Sequence, residues 1–304
     1  ATTEIYTLSL HDALPIYKIV YDRSKPRNYV PDTLDAEIIK DGHRFFEDGE
    51  KMQLSYAVRN TLRTIGTRAS SHIVKNFGMR NALQPDHLTV RLTGSCGQSL
   101  GAFAAPGLKI EVSGDANDYV GKGLSGGTIV VRPPMASPLV ASENTIIGNT
   151  VLYGATDGYL FAAGRAGERF AVRNSGAKVV VEGCGTNGCE YMTGGVAVIL
   201  GTIGANFGAG MTGGMAYLYD PQGTTEEYIN LESLVTCAVT HPHWEAQLKG
   251  LIERHAKETG SRKANDILQN WEAERANFLQ VCPKEMLVHL PFPLTEEVKA
   301  MPAE

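Results

Sequence analysis

The chain lacks the features that would place it in several common protein classes. Its five cysteines are an odd number in 304 residues and are scattered, which does not fit a disulfide framework. No apolar run approaches the ~20 residues that a bilayer-spanning helix needs, and the first residues lack the basic and apolar regions of a secretory signal. A net charge of −5 gives no reason to expect nucleic acid or a membrane as a partner. We therefore expect a cytoplasmic protein.

Glycine, by contrast, is abundant and regularly placed. Most of the 33 glycines fall between Gly94 and Asp220, where six of them each precede a short apolar run. Successive members of this set lie 18 to 20 residues apart, except for one interval of 31 that contains the proline-rich stretch 132–138. A fixed period of this size is typical of a solenoid. The predicted corner glycines are Gly107, Gly127, Gly158, Gly176, Gly195 and Gly214.

The apolar runs predict strands. They are four or five residues of β-branched, aromatic or aliphatic type bounded by glycine, and glycines at this density would each cost ~1 kcal/mol inside a helix. A mainly β protein follows, with a parallel β-helix of about 19-residue rungs whose corners are glycines at positive φ. Alternation predicts one core-facing set: Leu108, Ile110, Val112, Ala177, Val179, Val181, Val196, Val198, Leu200, Met215, Tyr217 and Tyr219. The alternate residues, among them Glu182, are expected to face water in some rungs.

Two asparagines share one position in the repeat. Asn187 and Asn206 each lie eight residues before a corner glycine, Gly195 and Gly214. We predict that their side chains stack on neighbouring rungs as an asparagine ladder, in which each amide satisfies the next.

Charge divides the chain into segments, because the glycine-rich block is poor in charged residues and its flanks are rich in them. The flanks carry helical periodicity, including helices over 33–46, 67–76 and 244–258, the last of which ends at Gly260. A second C-terminal helix is predicted to be capped by Ser261 and to bury side chains as far as Phe278. The predicted segments are a tail with no assigned role (1–17), a linker and helix/strand lead-in (18–86), the β-helix (87–220), helices that cap or dock on it (221–282) and an extended tail (283–304).

Three segments match the dinucleotide-binding pattern G-x-G-x-x-G, at 121–126, 183–188 and 208–213. That motif must follow a strand and open a helix, whose N-terminus binds the pyrophosphate. Here strands are predicted after the glycines instead. We interpret all three segments as corner glycines.

Other candidate ligands are isolated. Cys184 and Cys189 have no second cysteine pair nearby, so a buried thiol pair is favoured over zinc. His241 and His243 are interpreted as surface or capping groups. The polar cluster 115–119 fits a cation site or a turn equally well. We assign no catalytic, cofactor-binding or metal-binding residue.

Four glycine-rich segments carry a resemblance to a known family: 97–103, 114–131, 188–195 and 206–214. With the lead-in 51–60, they closely resemble the C-terminal domain of the glutamate synthase large subunit, which is named for its G-x-G-x-G motif. The resemblance covers roughly residues 18–280. It implies a right-handed parallel β-helix that follows a glutamine amidotransferase domain and an FMN-binding synthase barrel.

The resemblance also implies an activity for the parent enzyme, which converts L-glutamine, 2-oxoglutarate and a reduced nicotinamide, expected to be NADPH, into two L-glutamates. The implied cofactors of the parent are FMN and an iron–sulfur cluster, with FAD in the small subunit. The implied partners are the amidotransferase and synthase domains of the same polypeptide and the small subunit.

The expected role of this chain within that enzyme is architectural. The family's glutaminase uses an N-terminal cysteine, where residue 1 here is alanine, and none of the five cysteines lies in a cluster-binding run. We therefore expect the chain alone to be inactive and to hold no cofactor. Two alternatives are a free-standing β-helical assembly subunit, as in formylmethanofuran dehydrogenases, and a nucleotide-binding enzyme that uses the glycine loops.

Overall fold

The computed structural model describes residues 31–79 and 83–295. The chain divides into two units, residues 1–32 and 33–304, and the fold concerns the second. The predicted tail 1–17 and most of the predicted linker lie outside the described residues.

A mixed β-sheet is the centre of the fold. It takes the order β1-β2-β3-β4-β6-β8-β9-β10-β12-β11, with β5 paired to β3 and β7 beside this path. The strands from β1 to β10 pair in parallel, whereas β10–β12 and β12–β11 are antiparallel. The strands are β1 (Met52–Val58), β2 (Leu88–Cys96), β3 (Leu108–Ala116), β4 (Ser125–Arg132), β5 (Thr145–Ile147), β6 (Asp157–Ala162), β7 (Arg165–Ala166), β8 (Ser175–Val181), β9 (Thr193–Ile199), β10 (Gly213–Tyr219), β11 (Leu234–Ala238) and β12 (Phe278–Pro283). All six predicted strands after the glycines are present, as β3, β4, β6, β8, β9 and β10.

Helices lie before and after the strands β2–β10 in sequence. They are α1 (Leu34–Asp41), α2 (His43–Asp48), α3 (Thr67–Phe77), α4 (Pro242–Thr259), α5 (Arg262–Gln269) and α6 (Trp271–Glu274). The helix predicted over 33–46 divides in two at Gly42, whose N–H still bonds Ile38 O. Gly260 ends α4 at φ 69° as predicted, and Ser261 Oγ caps α5 by accepting from Ala264 N at 3.0 Å.

The lead-in helices are joined by one buried carboxylate. Asp35 in α1 accepts hydrogen bonds from the backbone N–H groups of Gly66 (2.7 Å), Arg68 (2.6 Å) and Ala69 (3.1 Å) at the start of α3. These N–H groups have no partner inside their own helix. Asp35 therefore caps α3 from a distant part of the chain.

The C-terminal segment differs from the prediction that it is helical. Phe278, predicted as the buried end of a helix, begins β12, and β11 was not predicted at all. β12 pairs with β10 and so satisfies an edge of the parallel strands that would otherwise be unpaired. Residues 284–289, predicted as extended, form a 3₁₀ helix; residues 296–304 lie outside the described part.

The predicted face assignment is wrong for two strands. Val198 in β9 and Tyr217 in β10 pack with Val130, Phe161 and Val180 on the outer face of the sheet. The inner row of neighbouring residues is Ile110, Ile129, Leu160, Val179, Ala197 and Ala216. The cause is a one-residue register shift between β8 and β9 just after their glycines, which offsets an alignment made on the glycines. β10 pairs with β9 in the register of the glycines and therefore shares the changed face.

A second stack of backbone accompanies the strands. Between strands, each repeat forms an arc in which every second residue has positive φ, as in Asn206 (61°), Gly208 (72°) and Gly210 (64°). The other arcs have Ser99, Gly101 and Phe103; Tyr119, Gly121 and Gly123; Thr150, Leu152 and Gly154; Arg169, Ala171 and Arg173; and Asn187, Cys189 and Tyr191 at these positions.

Hydrogen bonds join each arc to its neighbours on both sides. Tyr119 N donates to Asn149 O of the next repeat at 2.9 Å, and Gly121 N donates to Leu100 O of the preceding repeat at 2.9 Å. The N–H groups of successive positive-φ residues thus donate alternately to the next and to the preceding repeat, while the residues between them bond within their own arc. Successive repeats are bonded through both strand and arc.

The predicted corner glycines serve two different purposes. Gly107, Gly158, Gly195 and Gly214 have φ between 83° and 105°. Gly127 and Gly176 do not have positive φ, which corrects the prediction for these two. At Gly176 the constraint is space, because a Cβ would collide with the carbonyl oxygen of Thr156.

The second glycine of each G-x-G pair shows why this position of the motif requires glycine. Gly210 has positive φ, and a Cβ there would overlap the ring of Tyr191 from the preceding repeat. Gly123 stands in the same relation to Phe103. Glycine is therefore needed for its conformation and for the ring that lies against it.

We predict that Gly210→Ala lowers the free energy of unfolding by about 2 kcal/mol, from left-handed strain and displacement of the Tyr191 ring. The matched control is Gly250→Ala in α4, where a Cβ meets open space and should add up to about 1 kcal/mol. Chemical denaturation of both variants measures the difference. Equal effects of the two substitutions would contradict this role of Gly210.

Candidate functional site

The structure places the two predicted ladder asparagines next to each other. Asn206 Nδ2 donates to Asn187 Oδ1 at 2.8 Å, and Asn230 Nδ2 donates to Asn206 Oδ1 at 3.3 Å. Sequence reasoning missed Asn230 because it lies 24 residues beyond Asn206 and so falls off the repeat. The side chains join consecutive arcs.

A cleft of about 160 Å³ lies at the carboxyl ends of β4, β6 and β8. The loop 133–142 forms one wall and the turn between α4 and α5 forms another. Its charged lining consists of four side chains, those of Arg132, Glu182, Arg262 and Lys263. In open α/β sheets, ligands commonly bind at the carboxyl ends of the parallel strands, and by analogy this cleft is the candidate site.

Glu182 is the central residue of the cleft. It is only 2% exposed, although sequence alternation placed it on a face expected to be partly wet. The Ser261 hydroxyl donates a short hydrogen bond to Glu182 Oε1, and His255 Nε2 lies 3.6 Å from the same oxygen. The outer face is buried here because α4 and α5 cover it, which strand alternation alone cannot reveal.

These three residue types could suggest a catalytic triad, but the bonding does not. A triad needs a hydrogen bond between the serine hydroxyl and the histidine that removes its proton. Here the Ser261 proton is directed to the carboxylate, while its oxygen accepts from Ala264 N at 3.0 Å. Within the described ranges, neither ring nitrogen of His255 has a hydrogen-bond partner. The arrangement joins the α4–α5 turn to the end of β8.

Lys263 adds positive charge beside this carboxylate. Burial lowers the pKa of the Lys263 ammonium, and the nearby Glu182 carboxylate opposes that shift. The ammonium also lies 5.7 Å from the ring centroid of Tyr219. The lysine therefore offsets the buried negative charge.

The two cysteines of the C-x₄-C pair are fully buried and free. Burial raises the pKa of the Cys184 thiol to about 12 and holds that of Cys189 well above its ordinary value. Across residues 31–79 and 83–295, no group of three or more His, Cys, Asp or Glu side chains could hold a metal ion. Buried protonated thiols are inert rather than reactive.

The remaining candidates have local structural partners. His241 Nδ1 accepts from His243 N at 3.1 Å and caps α4. In the cluster 115–119, Ser95 Oγ donates to Asp115 Oδ2 at 3.0 Å and Asn149 N donates to Asp118 Oδ1 at 2.8 Å.

The three G-x-G-x-x-G segments lead into β4, β9 and β10, the middle one after a short turn. They therefore do not open the helix that dinucleotide binding uses. In the part of the chain that the structure describes, no helix is both long and apolar enough to cross a membrane.

Stacked, glycine-rich arcs that alternate with parallel strands are the defining feature of this chain. The family model described as the GXGXG motif matches residues 35–284, and the chain belongs to this family.

The curated relatives that the chain matches are glutamate synthases. The chain is 64% identical over 277 residues to the glutamate synthase [NADPH] large chain of Azospirillum brasilense, which covers 89% of this chain and 18% of that protein. It is 47% identical over 252 residues to the glutamate synthase [NADH] of Schizosaccharomyces pombe, covering 83% of this chain and 12% of that protein. It is 51% identical over 228 residues to the ferredoxin-dependent glutamate synthase of Pyropia yezoensis, covering 75% and 15%.

The chain therefore spans less than a fifth of the length of these relatives. Their names carry three different electron donors, so family membership does not select one.

We predict that Ser261→Ala lowers the free energy of unfolding by about 3 kcal/mol, because it removes a helix cap and leaves a buried carboxylate without its donor. The control is Ser71→Ala on the exposed face of α3, expected to change stability by less than about 0.5 kcal/mol. Urea denaturation measures both. A loss at Ser261 no larger than that at Ser71 would show that this contact does not hold the turn.

We also predict that iodoacetamide modifies the half-buried Cys237 first, although burial raises its pKa to about 11. Cys184 and Cys189 should react only as fast as the chain unfolds globally. Mass spectrometry of labelled peptides over time, with and without denaturant, distinguishes the two rates. Rapid labelling of Cys184 in the native chain would be the contrary result.

Proposed function

We propose that this chain is the C-terminal domain of a glutamate synthase large chain and serves that enzyme as a structural domain. The parent reaction converts L-glutamine, 2-oxoglutarate and a reduced nicotinamide into two L-glutamates. The observation that carries the proposal is the 64% identity over 277 residues to one such large chain, of which this segment is 18%. No step of the reaction is assigned to the residues of this chain.

We infer that residues 87–220 wind as a right-handed parallel β-helix. Two features support this. Successive strands from β2 to β10 pair in parallel at a spacing of 18 to 20 residues, except for the 31 residues between β4 and β6, and the arcs between them are bonded to the arcs before and after. A coil in which each turn rests on the last satisfies both patterns.

The proposed role is a stiff spacer between the amidotransferase domain and the FMN-binding synthase domain. Ammonia passed between two active centres requires that their separation be held, since small misplacements cost much rate. Contacts of α4 with the sheet support stiffness: Lys109 Nζ lies 2.6 Å from Glu258 Oε2, and the Arg254 guanidinium carbon lies 3.8 Å from the ring centroid of Tyr159.

The cofactors belong, in this proposal, to other parts of the enzyme. An iron–sulfur cluster needs a set of cysteine thiolates, and the cysteines of this chain do not fit one, because four of the five are buried and they lie in different strands and arcs. FMN and the cluster are assigned to the synthase domain and FAD to the small subunit. We propose NADPH as the donor, on the name of the relative with 64% identity, and the cytoplasm as the location.

The test is to change the length of the spacer by one repeat in the full-length large chain. Deleting residues 187–205 removes one strand and one arc and joins equivalent positions, which shortens the stack by about 4.8 Å. We expect glutamate formed per glutamine hydrolysed to fall at least ~10-fold, while glutamine hydrolysis persists. The persisting hydrolysis reports that the amidotransferase domain has folded, and circular dichroism of the shortened 304-residue chain reports that the remaining strands have.

The control for this experiment is Gly250→Ala in the same full-length chain, which should leave the coupling unchanged. An unchanged ratio of glutamate to hydrolysed glutamine after the deletion would refute the spacer role.

A further inference from the structure

Two aromatic side chains stand half exposed on the arcs. Phe103 is 54% exposed and Tyr191 is 50% exposed, and both occupy the third positive-φ position of their arcs, at 57° and 54°. Positive φ is unfavourable for a bulky residue. These rings therefore combine an unfavourable backbone conformation with an exposed apolar surface, and among the described residues no burial offsets either.

The rings are held flat by the repeat that follows each of them. The Phe103 ring lies against Gly123 and the Tyr191 ring lies against Gly210. Because both rings occupy one position of stacked, in-register arcs, they face the same way. Four repeats separate them, which corresponds to about 19 Å along the stack.

Between the two rings along the stack lie an arginine side chain and a glycine that faces open space. Arg173 occupies the same arc position and is exposed, and among the described residues its guanidinium forms no ion pair. Gly154 occupies it one repeat earlier, and a Cβ there would meet only open space. We call Phe103, Gly123, Gly154, Arg173, Tyr191 and Gly210 the aromatic row. The few residues that dominate binding energy at protein interfaces are enriched in Trp, Tyr and Arg.

The occupant of this surface is indicated by what already covers the rest. The outer face of the sheet is packed under α4, α5 and β12 of this same chain, whereas the rings of the row remain open among the described residues. In the relatives, more than four fifths of the polypeptide lies outside this segment. In such a polypeptide, the other domains are covalently linked to this segment and are therefore available to cover the exposed rings.

We propose that the aromatic row is the surface on which the remainder of the glutamate synthase large chain docks. This rests on the proposed function and deepens it by naming the face that makes the contact. The partner surface has apolar recesses about 19 Å apart for the two rings and a carboxylate between them for Arg173, since guanidinium and carboxylate form paired hydrogen bonds.

Hydroxyl-radical footprinting tests this in two samples, the 304-residue chain and the full-length large chain that contains it. We expect oxidation of Phe103 and Tyr191 to fall at least fivefold in the full-length chain. Tyr228, which is 40% exposed and lies outside the arcs, should change less than twofold. Unchanged oxidation of the two rings, or equal protection of Tyr228, would overturn the assignment.

Substitution in the full-length chain gives a second readout. Phe103→Asn and Tyr191→Asn together remove both rings, and asparagine tolerates positive φ, so the domain should keep its stability. Hydrogen exchange should then increase in segments outside residues 1–304, and Tyr228→Asn serves as the control. No increase would contradict docking, and rings protected in the 304-residue chain in a concentration-dependent way would indicate a second copy instead.

These results separate the docking surface from the spacer role. If the rings stay accessible while deletion of one repeat still uncouples the enzyme, the docking surface is wrong and the spacer role stands. If the rings are protected while the deletion leaves coupling intact, the docking surface holds and the spacer role fails.

Discussion

Stacking of the arcs is the interaction on which the rest of this structure depends. Every second arc residue adopts positive φ, and the N–H groups of these residues donate alternately to the repeats on either side. A buried backbone N–H without a partner costs as much as a lost hydrogen bond. The stack satisfies these groups only when the next repeat is in place, so each repeat needs its neighbours.

This constraint explains why glycine marks the family. Left-handed backbone is cheapest for glycine and asparagine, and the arcs use both, at Asn206, Gly208 and Gly210 for example. Larger residues at the positive-φ positions make packing contacts instead. Leu152 is buried in the core, and the Tyr191 ring packs against Gly210 of the next repeat. A dinucleotide-binding pattern thus arises from the geometry of stacked arcs.

The outer face of the sheet shows how the flanks complete the repeats. α4 and α5 bury the row that contains Phe161, Val180 and Val198, and the buried Glu182 carboxylate joins their turn to β8 through Ser261. A carboxylate buried with a hydroxyl donor, a nearby imidazole and a lysine is tolerated because its charge is partnered. Ser261, His255 and Glu182 are the residue types of a catalytic triad, but their hydrogen bonds do not form one.

The sequence by itself determined the six strands, their period, the caps at Gly260 and Ser261, and the family, because these depend on local pattern and on glycine conformation. It did not determine which face of β9 and β10 points inward, since the one-residue register shift between β8 and β9 is invisible within either strand. Nor did it reveal the burial of Glu182 or the strand at Phe278. Those depend on which distant segment covers a surface or completes an edge, and only the tertiary structure decides that.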